Sequence, residues 1–219
     1  MDERTEATVR ALLDRHPRGY VQEEAGFTVT KSAAGLFRLL VLSVLADDSA
    51  PSPEAVESTK ALLARRWDSA PKMARKSPEE RAAVLESAGY PEPEKASTRL
   101  GEAMAYVAEQ YDGNLENLRR DADGERRRLR GLLRRIPGLG DAGYAVFLRD
   151  AQVSWPEAGP FLDKHAIHAA ERLGLPDTPR ELLRDLDRGD GEEMLGRLAG
   201  ALALTDTRDD YDQIREAVS

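Results

Sequence analysis

The chain has 219 residues, a formal net charge of −8, no cysteine, and only 5% aromatic side chains. It is long enough to bury a core as one large or two small domains, and the missing cysteines exclude disulfides, thiolate metal sites and cysteine-ligated iron–sulfur clusters. Abundant Ala and Leu with few β-branched runs point to an all-α protein. The acidic balance weighs against nucleic acid as a partner. The distribution does not: between Leu118 and Asp150 nine arginines face five acids.

In chain order, 3–15 carries apolar residues at helical spacing, whereas "GYVQEEAGFTVTK" breaks that spacing and reads as a loop or a short extended piece. The most apolar stretch, "SAAGLFRLLVLSVLA" at 32–46, is fifteen residues long. That is too short to cross a bilayer, so it predicts a buried central helix. A Pro/Ser loop leads into an amphipathic helix ending near Trp67. Ser77-Pro78-Glu79-Glu80 marks a helix start, with Ser as cap, Pro at the first position and acids in the first turn. Further helices are expected at 78–88, 92–111, 125–135, 141–151, 161–173, 178–187, 191–203 and 208–217. The N-terminus "MDERTEATVR" has no apolar signal core, so a cytoplasmic protein without a membrane segment is expected.

Pro137-Gly138-Leu139-Gly140 joins two of these helices. Glycines permit a sharp reversal and close approach of a partner to the backbone. The amides of Leu139, Gly140 and Asp141 would open the second helix unpaired, along its dipole, and form an anion site suited to one phosphate. Arg134 and Arg135 stand just before the turn. Further on, Asp163 precedes an apolar-periodic stretch, where Asp is a favoured helix cap.

The run "LLRRIPGLGDAGYAVFL … FLDKHAIHAAERLGL" resembles the helix-hairpin-helix DNA glycosylase superfamily, in its endonuclease III-like group. The matching features are Ile136-Pro137-Gly138-Leu139-Gly140, the apolar "GYAVFL", the loop "WPEAGP", and Leu162-Asp163-Lys164-His165. The segments "LFRLLVLSVLADD" and "SAGYPEPEKASTRLGEAMAYVAEQYDGNL" extend the resemblance over roughly 35–205. It implies two helical subdomains flanking a cleft for DNA and an extruded base. One is a six-helix module near 35–135; the other is built from 1–34 plus 136–219.

The resemblance also implies roles. Asp163 is the candidate catalytic carboxylate, stabilising positive charge on the sugar or activating water as the base leaves. Arg134, Arg135, Pro137, Gly138, Leu139 and Gly140 are candidate DNA contacts, with Lys164 on phosphate. Leu45 is the counterpart of the wedge that fills the gap left by a flipped base, while an ordinary core leucine remains open for it. Tyr144 and Trp155 are candidates for lining the base pocket. The family's lyase lysine is replaced by Ala142, which carries no nucleophile, and the cluster loop is missing. The expectation is thus a monomeric, monofunctional glycosylase acting on double-stranded DNA. It needs no cofactor, and the hairpin carbonyls offer a place for a monovalent cation. Loss of the lysine and cluster, with the acidic balance, also fits a non-catalytic binder of damaged or distorted duplex. His165 and His168 share a helix face, but two ligands are too few for a metal.

Overall fold

The structure, a computed structural model, describes residues 3–30, 32–186 and 191–218, and those residues contain helices and no strand. The chain divides into two compact units, Phe27–Phe147 and Met1–Gly26 with Leu148–Ser219. The middle unit is therefore wider than the 35–135 module, and it contains the whole Pro-Gly turn instead of ceding it to the terminal unit.

The first helices of the chain are α1 (Glu3–Arg15) and α2 (Tyr20–Ala25), both in the terminal unit. Helix α2 lies where a loop or strand is expected. Gly19 and Gly26 bracket it at φ +74°, too closely for a helical period to show. The middle unit opens with α3 (Ala33–Leu45), whose Ser32 hydroxyl accepts from the Gly35 amide at 3.1 Å. As expected of the most apolar stretch, α3 is sealed, with Leu36, Leu39, Leu40 and Leu42 at 0% exposure. It packs against α4 (Pro53–Ala64), α7 (Pro93–Tyr111) and α8 (Leu115–Ala122).

Helices α5 (Ala70–Ala74) and α6 (Pro78–Ser87) lie on α7. The α6 start is a full capping box. Glu80 N–H donates to the Ser77 hydroxyl at 3.2 Å, and Ser77 N–H donates to the Glu80 carboxylate at 2.8 Å. Helices α5 and α8 are additions to the expected elements. The first is only five residues long, and the second is set off by the Asn114 cap and a left-handed Asp123. Helix α9 (Arg126–Leu133) buries Leu129 and Leu133. Helix α10 (Asp141–Ala151) starts in the middle unit and ends in the terminal one, the division falling between Phe147 and Leu148.

The rest of the terminal unit is one turn of 3-10 helix (Pro156–Ala158), then α11 (Lys164–Leu173), α12 (Pro179–Leu186), α13 (Gly191–Arg208) and α14 (Tyr211–Val218). The expected end of α12 at residue 187 lies outside the described residues. Helix α13 is the unit's axis, contacting α1, α2, α11 and α12. Its Gly200 brings the backbone against α2, since a Cβ there would stand 3.0 Å from the Tyr20 nitrogen. No helix among the described residues is long and apolar enough to cross a membrane.

Candidate nucleic-acid interface and a sealed carboxylate

Helix α9 is amphipathic in an extreme way: two leucines face the core and five of its eight residues are arginine or glycine. The chain then tightens. The Arg135 amide donates to the Leu132 carbonyl at 3.1 Å and the Ile136 amide to Leu133 at 3.1 Å. Ile136 to Leu139 form a turn closed by the Leu139 amide on the Ile136 carbonyl at 3.3 Å. Pro137 suits the first central position. Gly138, at φ +74°, occupies the second, which only glycine adopts without strain. Ile136 and Leu139 are buried anchors, whereas Pro137 and Gly138 are half-buried and Gly140 is exposed.

Two expectations about this turn change. The Leu139 amide is consumed in closing the turn, and its side chain packs inward, so Leu139 supports the turn without facing a ligand. The Gly140 and Asp141 amides have no intramolecular acceptor among the described residues. They open α10 at the positive end of its dipole. A Cβ on Gly140 would meet nothing within 4 Å, so the backbone there is open to a partner. Three residues on, a Cβ on Gly143 would stand 1.9 Å from the Ser43 carbonyl oxygen. Gly143 therefore lets α10 lie directly on α3, which braces the turn against the core helix.

Arg134 and Arg135 are exposed beside the turn. Arg134 donates to Asp141 at 3.0 Å, and that bond holds its guanidinium above its ordinary pKa. The same guanidinium lies 4.1 Å from the Tyr144 ring centroid. Tyr144 is 8% exposed beneath it, so its ring is covered by Arg134 and offers no open platform for a base. Trp155 is fully buried and Leu45 is at 0% exposure. Neither has surface to present: Trp155 fills the core, and Leu45 packs at the end of α3, where its carbonyl accepts the Tyr90 hydroxyl at 2.6 Å. An apolar residue at a helix end looks alike in sequence whether it wedges or packs. Only the neighbouring helices decide.

Asp163 is the N-cap of α11, its Oδ1 accepting from the Ala166 amide at 2.8 Å. That is why α11 begins at Lys164 and not at 161. Its Oδ2 accepts from Arg149 Nη1, and both side chains have 0% exposure. Arg149 also donates through Nε and Nη2 to Asp150 Oδ2, at 3.0 and 2.9 Å. Its guanidinium lies 3.9 Å from the Tyr20 ring centroid. The other Asp150 oxygen accepts the Val21 amide at 3.3 Å. Burial works against the Arg149 charge, and Asp150 and Asp163 outweigh it, so the pKa is raised. Asp163 is thus a structural carboxylate with both oxygens engaged, and no face of it meets solvent. Arg149 and Tyr20 are partners that the sequence reading did not single out. Lys164, the next residue, is exposed.

His165 and His168 both turn Nδ1 to Asp206 of α13, at 2.6 and 2.5 Å, and the Tyr211 hydroxyl donates to the same carboxylate at 2.6 Å. These bonds outweigh burial and hold Asp206 below the usual carboxylate range. Among the described residues no group of three or more such side chains is arranged to hold a metal ion. A scan against models of known protein families finds no match for this chain, and a search of curated proteins finds none either.

Proposed function

We propose that this chain binds duplex DNA through the α9–α10 turn, as a helix-hairpin-helix protein that does not excise a base at Asp163. One observation supports the binding most: two amides without intramolecular acceptors, at Gly140 and Asp141, stand at an exposed helix start where a side chain has been omitted. A phosphate oxygen is the ligand such a start accepts, and flanking arginines add charge. The complete burial of Asp163 supports the absence of excision. A carboxylate that stabilises an oxocarbenium-like sugar or takes a proton from water must touch it. Arg149 bonds one oxygen and the Ala166 amide the other, and the side chain has no exposed surface through which to touch a sugar or a water.

A second reading, the monofunctional glycosylase, is favoured by the position of Asp163 as the N-cap of the helix that follows the hairpin segment, which is the resemblance's catalytic position. In that reading the base leaves the stack and is hydrolysed from its sugar without a lyase step, Ala142 having no amine to form a Schiff base. The experiment is binding and base release measured together. Fluorescence anisotropy with a labelled duplex between 50 and 200 mM salt, on the order of the range where phosphate contacts dominate, tests the clamp. Affinity independent of salt removes it. Incubation with duplexes carrying alkylated, oxidised, deaminated and mismatched bases, followed by alkali, tests excision. Strand cuts after alkali that vanish in Asp163→Asn establish the second reading and overturn the first.

A further inference from the structure

The Pro-Gly turn rests on a residue of α7. A Cβ built on Gly138 would stand 3.0 Å from both the Cβ and the carbonyl oxygen of Arg99. Arg99 is half-buried, and its Nη2 donates to the Tyr90 hydroxyl at 3.3 Å. That hydroxyl spends its own proton on the Leu45 carbonyl and so has only a lone pair left for Arg99. The tyrosine fixes where the guanidinium lies without neutralising it. Arg99 Nε is buried with no acceptor, and among the described residues Arg99 has no carboxylate partner.

Arg134, one of the two arginines beside the turn, is paired with Asp141. Glu92, one of two acids that act on Tyr90 electrostatically, is bonded to Lys95, and the other, Asp47, does not pair with Arg99. A chain with 40 acidic residues has left one half-buried guanidinium under its candidate phosphate clamp without any of them. A cation with four of five donors idle, positioned by a neutral hydroxyl, suits an anion that arrives from outside.

We infer that Arg99 is a further DNA-contacting residue, neutralising a backbone phosphate beside the one held on the Gly140–Asp141 amides. This rests on the phosphate-clamp reading of the turn. It extends that site from the hairpin onto α7.

The test measures the salt dependence of binding to an undamaged labelled duplex for wild type, Arg99→Gln and Tyr90→Phe, each with a thermal melt. One lost phosphate contact lowers the slope of log affinity against log salt by about 0.9. Arg99→Gln is expected to show that drop; Tyr90→Phe is expected to melt lower and keep the wild-type slope. Equal slopes in wild type and Arg99→Gln overturn the role of Arg99 and leave the clamp standing. No salt-dependent binding by wild type removes the clamp and, with it, this extension. Phenylglyoxal modification of the unaltered protein, read by mass spectrometry, covers the case in which Arg99→Gln does not fold. The duplex is expected to protect Arg99 and to leave Arg10, on exposed α1 surface, reactive. Equal modification of Arg99 with and without duplex overturns the inference.

Discussion

Arg149 and Asp163 form an ion pair in which neither side chain has any exposure to solvent, and Asp163 at the same time caps α11. Removing Asp163 leaves the buried Arg149 charge with Asp150 as its remaining carboxylate, so the loss lies toward the lower end of the roughly 3–5 kcal/mol that a broken buried pair costs. Asp163→Ala is therefore expected to lose at least that much, because the cap goes with it. Asp163→Asn keeps an oxygen for the Ala166 amide and is expected to lose clearly less. Urea denaturation at pH 7 measures both. A loss under 1 kcal/mol for Asp163→Ala, a figure typical of an exposed cap alone, contradicts the buried pair.

Gly140, just before α10, and Gly143, in its first turn, separate stability from binding. Gly143→Ala drives a methyl into the Ser43 carbonyl at 1.9 Å, backbone against backbone, with no flexible tip to move aside. Overpacking of this kind costs roughly 1–3 kcal/mol, and the upper end is expected here. Gly140→Ala meets nothing within 4 Å, so its melting temperature should stay near wild type while its affinity for duplex falls. If both variants melt alike, α10 does not press on α3.

Arg81 is 4% exposed and pairs with no acid; instead it donates to the carbonyls of Ser97 at 3.0 Å, Met73 at 3.4 Å and Lys76 at 2.5 Å. It ties the end of α5 and the start of α7 to α6. Arg81→Met keeps much of the volume and removes all three of these bonds, a loss on the order of 3 kcal/mol. Because the contact lies in the middle unit, hydrogen exchange should rise in α5–α7 and not in α11–α13. Exchange that rises evenly across both speaks against a local tie.

His16 is 1% exposed, with Nδ1 3.4 Å from Glu23 and Nε2 3.4 Å from Asp210. Burial lowers its pKa below the ordinary 6.5, and Glu23 and Asp210 only partly offset this. A lowered folded pKa means that the unfolded chain takes up the proton first. Stability is therefore complete above pH 6.5 and falls as pH drops through that value toward the lower folded pKa. His16→Gln should flatten this part of the wild-type pH–stability curve, as followed by melting between about pH 7.5 and 5. Identical curves for the two proteins reject the assignment.

What the sequence determined by itself is the part whose physics is local. Ser32, Ser52 and Ser77 start their helices as caps because the bond runs three residues along the chain. Pro137 and Gly138 specify the turn because φ is set residue by residue. The apolar run at 32–46 had to be buried, whatever covers it. Tertiary structure decided everything that depends on distant partners. Leu45 is core, not wedge, because the helices around α3 close over it. Asp163 is sealed because Arg149, fourteen residues earlier, reaches it inside the same unit. Arg99 is not legible in the sequence because its position under Gly138 joins residues on different elements, a juxtaposition that no period or motif encodes. A cap is read from neighbours in sequence, whereas a buried charge is defined by what folding brings around it.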